Sequence, residues 1–413
     1  MRLSYPAGFV YLIPTHRATR IKPVSKDGVF MILGNGLYPH DSLAGSMKSV
    51  VIIGFGGHAR SWLRRIKEHP DFELTGIVDT NTELLENVHK LGTGLDDDQG
   101  YISIEDACRY GEKPDLAIVA TPIYTHHSLV RETMALGINV ICEKNMASTL
   151  PQGRQMVQAA IDNPHLCTAV GTQNRFRYGF WCAQQLLSNP DSPIGKLGLV
   201  KWYDSGYRGE TRWGWRRWLQ EIYAEDQCVH WFDSIRCITG MDIVQVKADT
   251  FMPRYSTWHG SSTIMANLAL AKPEDYHHRH EWVWAHLFGD WQLGGPPASS
   301  FNFYGEKGQF KIEGWGVALK LYPDPSNRTK IEEDAYLPID AGGVRGTKYE
   351  GQMVILEQMS KGIDSGGKVQ PDTNFLEAFK SFAVARCAIK SSHLGREMWV
   401  PDTWKDMPEL VSR

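Results

Sequence analysis

The stretch VVIIGFGGHAR, residues 50–60, constrains the fold of this chain more than any other part of the sequence. Its four β-branched residues are typical of a strand that is buried on both faces, as in a parallel sheet. Gly54, Gly56 and Ala59 then occupy the small-residue positions of the pattern G-x-G-x-x-G/A. In that pattern the glycines permit a tight turn and admit a pyrophosphate. The stretch therefore predicts a phosphate-binding turn, followed by a helix at about 59–68 whose N-terminus faces the phosphates.

A second strand, FELTGIVDT, leads into Asp79, about 25 residues after Gly54. An acid at this distance binds the ribose hydroxyls in dinucleotide-binding folds, although it could also serve only to cap the strand end. A carboxylate here disfavours a 2′-phosphate, and the following Thr80 and Asn81 add no cation. The pattern therefore favours NAD as the cofactor over NADP.

Strand and helix patterns continue to alternate after Asp79. They comprise strands at 115–122, 138–144 and 166–173 and helices at 126–137 and from about 150. This alternation predicts a Rossmann domain, an α/β fold with a doubly wound parallel sheet.

The 413 residues suggest about two domains. We predict four regions: an N-terminal extension at 1–46, a Rossmann domain at 47–170, a second domain at 171–400 and a tail at 401–413. The extension is expected to be disordered or to precede a true start at Met47.

Composition excludes several classes of function. The formal net charge is -3, and there is no apolar run of about 18 residues, so we expect neither a nucleic-acid nor a membrane partner. The seven cysteines are spread singly, which argues against a disulfide framework or a zinc motif and favours a cytoplasmic location. We predict no metal site.

Two segments could carry chemistry. The first is CEKN, which places Glu143 and Lys144 at the C-terminal end of a strand, where open α/β sheets bind ligands. Lys144 could hold a hydroxyl or help to move a proton, or it could be an ordinary exposed lysine. The second is EDQCVHWFD, in which Asp226, His230 and Asp233 have i, i+4 and i+7 spacing. One helix would present all three on one face, either as a proton-transfer site or as surface charge pairs.

Tryptophans crowd the segment RWGWRRWLQEIY, which precedes the second candidate. Aromatic faces stack on sugar rings, and arginines bind hydroxyls or carboxylates, so Trp213 and Trp215 are candidate substrate contacts. The alternative is that the tryptophans belong to the core or to a subunit interface. HHRH at 277–280 could suggest a metal, but a strand or loop segment is the preferred interpretation.

Several motifs together resemble the Gfo/Idh/MocA oxidoreductases, named for glucose–fructose oxidoreductase and inositol dehydrogenase. The matching segments are GFGGHA (54–59), Asp79, ATPIYTHH (120–127), CEKN (142–145), VGTQNRF (170–176), DQCVHWFD (226–233), YGEKGQF (304–310) and FAVARCAIKSSHLGR (382–396). The resemblance covers about residues 48–400. It implies that the Rossmann domain is followed by an α+β domain with a large, mostly antiparallel open sheet.

The resemblance also implies roles for individual residues. The catalytic lysine of the family falls on Lys144, and its helical Asp and His fall on Asp226 and His230. Glu143 falls near the nicotinamide ribose, and the loop beside the nicotinamide falls on Thr121, Pro122 and His126. The chain has Asn145 where proline is common in the family and Cys228 where glycine is frequent.

We therefore predict an NAD(P)-dependent oxidoreductase that acts on a secondary alcohol or ketone of a sugar, sugar acid or cyclitol, as a homodimer or homotetramer. Two alternatives are an enzyme that recycles bound NAD during elimination or hydrolysis, and an inactive binding protein. The predicted cofactor contacts are Gly54, Gly56, Gly57, His58, Ala59, Asp79, Thr121, Pro122, His126, Glu143 and Lys144. The predicted substrate contacts are Lys144, Arg175, Trp213, Trp215, Asp226 and His230.

Overall fold

A computed structural model of the chain contains two compact units, and the boundaries between them within residues 47–411 fall after Gln173, Glu350, Arg386 and Asp402. We call the unit that contains residues 47–173 the parallel-sheet unit and the other the mixed-sheet unit. The segments that begin at Gly351 and Thr403 belong to the parallel-sheet unit. The described residues are 10–14, 20–23, 30–34, 47–208, 214–314, 316, 318–322 and 350–411.

Most of the predicted extension, residues 1–46, lies outside the described residues. The exceptions are three short strands, β1 (Val10–Pro14), β2 (Arg20–Pro23) and β3 (Phe30–Gly34). β3 pairs in parallel with β1 and antiparallel with β2.

The parallel-sheet unit contains six strands and the helices that connect or follow them. The strands are β4 (Lys48–Ile53), β5 (Phe72–Val78), β6 (Gly100–Tyr101), β7 (Leu116–Val119), β8 (Asn139–Cys142) and β9 (Thr168–Val170). The helices are α1 (Gly57–Glu68), α2 (Thr82–Leu85), α3 (Ile104–Tyr110), α4 (Ile123–Ala135), α5 (Leu150–Asp162), α9 (Glu350–Asp364), α10 (Phe375–Leu394, which continues past the unit boundary) and α11 (Pro408–Val411).

All pairs in this sheet are parallel, in the order β6-β5-β4-β7-β8-β9. This is the strand order of a Rossmann fold, so the predicted fold class is confirmed. The four apolar residues at 50–53 are at most 2% exposed. Helices on both faces of the sheet therefore explain why the strand sequence does not alternate.

The mixed-sheet unit is built on eight strands. They are β10 (Leu197–Ser205), β11 (Asp242–Phe251), β12 (Thr263–Ala271), β13 (Val283–Asp290), β14 (Ala298–Gly305), β15 (Gln309–Glu313), β16 (Ala318–Tyr322) and β17 (Met398–Trp399). Their order is β16-β15-β14-β10-β13-β12-β11-β17. β10 and β13 are parallel, and the other described pairs are antiparallel, which confirms the mostly antiparallel second sheet. The helices are α6 (Tyr178–Ser188), α7 (Ile222–Asp226) and α8 (Cys228–Thr239).

Aromatic side chains form the core of this unit. On β10, Trp202 is buried, whereas its neighbours Lys201 and Tyr203 point to the exposed face of the sheet. The Trp202 ring stacks on Phe301 with ring centroids 4.0 Å apart and lies 5.6 Å from Trp231 of α8. Trp202 and Trp231 therefore belong to the core, whereas Trp218 of the segment RWGWRRWLQEIY is 71% exposed. Among the described helices, none combines the length and the hydropathy needed to span a bilayer.

Candidate active site

The glycine turn after β4 leaves its backbone accessible. Gly54 has a φ of +84°, and a Cβ on it would lie 2.5 Å from Thr121 Cγ2, so only glycine fits this turn. By contrast, a Cβ on Gly56 or Gly57 would meet nothing within 4 Å. α1 begins at Gly57 without a side-chain cap, so the N–H groups of its first turn point to an uncovered site that suits an anion.

The first turn of α1 also contains His58 and Ala59. His58 is half-buried. Ala59 is completely buried, because its small side chain lets α1 approach the sheet closely.

Asp79 follows β5 and holds the glycine turn in place. Its Oδ2 accepts a hydrogen bond from the Phe55 backbone N–H at 2.8 Å, and its Oδ1 accepts one from the Asn81 N–H at 3.0 Å. Each carboxylate oxygen has a second lone pair. Asp79 can therefore stabilise the turn and still accept hydrogen bonds from ribose hydroxyls.

The loop after β7 contains Thr121 and Pro122, and His126 lies in the first turn of α4 that follows. Pro122 precedes the first residue of α4, a position that tolerates proline because its missing N–H would have no helical partner. His126 is buried, with Nδ1 2.7 Å from the Asn145 carbonyl oxygen and Nε2 2.9 Å from the Thr121 carbonyl oxygen. Burial lowers the pKa of the His126 imidazole, against the opposing effect of the two carbonyls. His126 thus connects the loop after β7 to the turn after β8.

The turn after β8 contains Glu143, Lys144 and Asn145, which are 3%, 7% and 2% exposed. Glu143 Oε1 accepts the indole N–H of Trp62 at 2.8 Å, and its Oε2 accepts the Lys144 backbone N–H at 3.1 Å. The peptide bond between Lys144 and Asn145 is cis. Glu143 therefore holds the Lys144 backbone N–H in a turn that has no proline at position 145.

The prediction that a single helix carries Asp226, His230 and Asp233 is wrong. α7 ends at Asp226 and α8 begins at Cys228, with Gln227 between them. The His230 N–H bonds to the Gln227 carbonyl at 3.1 Å, an i→i−3 contact that interrupts the i→i−4 pattern of an α-helix. The i, i+4, i+7 spacing does not therefore define one face of a continuous helix.

Two arginines pair with the two acids of this segment. Asp226 Oδ1 lies 2.9 Å from Arg216 Nε, with side-chain exposures of 4% and 11%. Arg175 donates to Asp233 through Nε at 2.8 Å and through Nη2 at 2.5 Å, and both side chains are at most 5% exposed. Arg175, a predicted substrate contact, is therefore engaged by Asp233. His230 lies between these pairs in sequence and is 5% exposed.

Arg216, which pairs with Asp226, also contacts Trp215, one of the predicted substrate contacts. The Arg216 guanidinium lies over the Trp215 ring, 4.7 Å from its centroid. Trp213 lies outside the described residues.

Among the described residues, no group of three or more His, Cys, Asp or Glu side chains could hold a metal ion. The His277–His280 segment ends in a short 3₁₀ helix, Arg279–Glu281.

Three buried residues were missed by the sequence analysis: Trp62, Asp204 and Tyr223. The Tyr223 hydroxyl donates to Asp204 Oδ2 at 2.6 Å and accepts the indole N–H of Trp231 at 3.0 Å. Burial raises the pKa of Asp204 to about 6, while the hydrogen bond from Tyr223 acts in the opposite direction. The alternation along β10, which directs Trp202 and Asp204 to the same face, was the available signal.

Known proteins share both the motifs and the fold. Residues 48–171 match the family model GFO_IDH_MocA, described as an oxidoreductase family with an NAD-binding Rossmann fold. An uncharacterized protein, y4oX, of Sinorhizobium fredii is 22% identical over 364 residues, which cover 86% of this chain and 96% of the relative. An inositol 2-dehydrogenase of Arthrobacter is 24% identical over 201 residues. That match covers 48% of this chain and 56% of the enzyme, little more than half its length.

Solved structures share this architecture over most of the chain. An oxidoreductase from Agrobacterium radiobacter, in complex with NAD+, L-tartaric acid and magnesium, superimposes with a TM-score of 0.71 at 18% identity. The superposition covers 86% of this chain and 99% of that one. The resemblance to the Gfo/Idh/MocA oxidoreductases is thereby confirmed for residues 48–171, which match a family model with an NAD-binding Rossmann fold, and the chain shares the fold of this solved structure.

Proposed function

We propose that this protein is an oxidoreductase of the Gfo/Idh/MocA family, which transfers a hydride between NAD and a secondary alcohol or ketone of a sugar, sugar acid or cyclitol. One observation carries the proposal: the glycine turn, Asp79 and Lys144 all follow the carboxyl ends of strands in one parallel sheet. Ligands of open α/β sheets bind at that edge. The similarity to inositol 2-dehydrogenases supports a polyhydroxylated substrate.

The residues at this edge fit a dinucleotide. The uncovered backbone at Gly56 and Gly57 suits a pyrophosphate, and Asp79 has lone pairs for the ribose hydroxyls. The Asp79 charge would repel a 2′-phosphate, which favours NAD over NADP. When bound, the nicotinamide supplies the group that exchanges hydride with the substrate carbon.

The proposed roles of the chain's own residues follow from their chemistry. His230 accepts the hydroxyl proton during oxidation and returns it during reduction. Lys144 donates a hydrogen bond to a substrate oxygen and stabilises negative charge that develops there. Asp226, which pairs with Arg216, orients the polar groups around the substrate. Trp215, whose ring contacts the Arg216 guanidinium, is a proposed contact of the substrate.

Titration with NADH and NADPH, followed by tryptophan fluorescence, tests the cofactor assignment. We expect NADH to bind more tightly than NADPH, and Asp79→Ala to weaken NADH binding by about tenfold or more because it removes a charge-assisted hydrogen bond. Asp97→Ala is the matched control, since Asp97 is a half-exposed acid paired with His89 in the same unit. Tighter NADPH binding that Asp79→Ala leaves unchanged would contradict the NAD assignment.

A screen of polyols and sugar acids with NAD, followed by NADH absorbance, tests the reaction. We expect His230→Ala and Lys144→Ala each to lower kcat by about a hundredfold or more while NADH binding persists, because general acid–base groups contribute that much. Full turnover by His230→Ala would contradict the assigned role. Cofactor binding without turnover on any polyol would favour an inactive binding protein instead.

We also propose that a second copy of the chain covers the exposed face of the mixed sheet. That face carries Leu199, Tyr203, Phe251, Met265 and Trp284, each 36–40% exposed. Neighbouring strands place Leu199 opposite Trp284 and Phe251 opposite Thr263. Adjacent apolar side chains on one open sheet are typical of an interface rather than of scattered surface residues.

Sedimentation of the wild-type protein and of Tyr203→Glu/Trp284→Glu tests this interface. We expect a dimer or tetramer for the wild type and a smaller species for the variant, because two buried charges oppose association. Trp218→Glu is the control, since Trp218 is 71% exposed and belongs to a short 3₁₀ helix rather than to a strand of the sheet. An unchanged mass for the double variant would contradict this assignment.

A further inference from the structure

The turn that carries Lys144 depends on a tryptophan that has no part in the proposed reaction. Trp62 lies on α1, the helix that begins at the glycine turn, and it is completely buried. Its indole N–H reaches Glu143 Oε1 at 2.8 Å. A hydrogen bond to a carboxylate is stronger than one between neutral groups. This contact joins α1 to the strand end that precedes Lys144.

Glu143 also binds the backbone of Lys144. Its second oxygen accepts the Lys144 backbone N–H at 3.1 Å, and its own N–H bonds to the Val119 carbonyl at 2.8 Å. A Cβ on Gly171 would lie 2.9 Å from Glu143 Oε1, so the carboxylate packs directly on the backbone at Gly171. Both oxygens of this buried acid are thus engaged inside the parallel-sheet unit.

These contacts give Glu143 a different task from the one the family resemblance implies. A residue that binds the nicotinamide ribose needs an accessible carboxylate, whereas Glu143 is only 3% exposed. A buried carboxylate persists only when hydrogen bonds replace its lost hydration. Trp62 and the Lys144 N–H supply those hydrogen bonds.

We propose that Trp62 is a positioning residue that acts through Glu143 to hold the Lys144 backbone in its productive place. The proposal rests on the proposed role of Lys144. His126 secures the other side of the turn through the Asn145 carbonyl. Together these side chains supply the restraint at a turn that has Asn145 where a proline ring would otherwise stiffen the backbone.

Trp62→Phe tests the proposal because it keeps an aromatic ring and removes the N–H. Trp404→Phe is the matched control, a tryptophan of the same unit that is 1% exposed and lies under Lys380. We expect Trp62→Phe to lower kcat by about tenfold, the value of one hydrogen bond to a charged group, with little change in NADH affinity. Trp404→Phe should leave kcat unchanged. Equal kcat values for the two variants would overturn the proposal.

Glu143→Gln separates a positioning role from cofactor binding. Its amide oxygen can still accept the Trp62 N–H, so we expect NADH affinity to persist while the pH profile of kcat moves, because the charge beside Lys144 is lost. A loss of NADH affinity with an unchanged pH profile would assign Glu143 to the cofactor and overturn the proposal.

A measurement without turnover separates failure of this proposal from failure of the proposed function. Acylation of Lys144 in the intact protein can be followed by peptide mass spectrometry. We expect faster acylation of Lys144 in Trp62→Phe than in the wild type and in Trp404→Phe, because a loosened turn exposes the amine more often. Equal rates in all three proteins would overturn the positioning role even if no substrate were found.

Discussion

The turn after β8 and the junction between α7 and α8 both carry proposed catalytic groups, but they are stabilised in different ways. At the turn, Glu143 and His126 bind backbone groups of Lys144 and Asn145. At the junction, the acids bind arginine side chains that come from elsewhere in the unit.

The difference predicts how much stability each region loses when one partner of a contact is removed. At the turn, each of these contacts joins one side chain to a neutral backbone group, so the backbone group that loses its partner carries no unpaired charge. A buried ion pair depends on two particular side chains, and removing one leaves an uncompensated charge. Variants of the junction should therefore cost more stability than variants of the turn after β8 or of the glycine turn.

The largest effect is expected for Arg175→Ala. Asp233 is buried and loses both hydrogen bonds from Arg175, so the free energy of unfolding should fall by about 3–5 kcal/mol. Urea unfolding followed by circular dichroism measures this loss. Arg154→Ala is the control, because Arg154 pairs with the exposed Asp406, and exposed ion pairs contribute little to stability. Equal losses for the two variants would refute the distinction between buried and exposed pairs.

The next effect concerns Asp204 and depends on pH. Burial raises its pKa from 3.8 to about 6, so between these values the folded protein binds more protons than the unfolded chain. The free energy of unfolding contributed by Asp204 should therefore fall as pH rises through this window, by on the order of 3 kcal/mol, and stay constant above it. Asp204→Asn should remove this dependence. Urea unfolding of both proteins from about pH 4 to about pH 7 measures it, and parallel curves would contradict the prediction.

The smallest effect is expected at the glycine turn, where a matched pair isolates the contact with Thr121. Gly54→Ala and Gly92→Ala both place alanine at positive φ, but only Gly54 faces a neighbouring atom. Gly92→Ala should cost about 1–2 kcal/mol from the backbone alone, and Gly54→Ala about 1 kcal/mol more. NADH binding should be lost only in Gly54→Ala. Identical stabilities and affinities would show that the close approach to Thr121 has no consequence.

The strands at 50–53, 116–119 and 139–142 were predictable because a parallel strand buried on both faces leaves a continuous apolar run. The break at Gln227 was not, because spacing within the segment predicts a continuous helix whether or not the backbone bends there. The partners of Asp226 and Asp233 could not be predicted from the sequence either. Arg175 lies 58 residues from Asp233, and no local pattern relates them.

The sequence by itself determined the parallel sheet, the glycine turn and the positions of Asp79 and Lys144, because these follow from local backbone preferences and from the period of buried residues. The tertiary structure alone decided which side chains meet: Trp62 with Glu143 and Arg175 with Asp233. Such pairs form where packing removes water from polar groups that are distant in sequence. The cost of burying each group without a partner is what selects them.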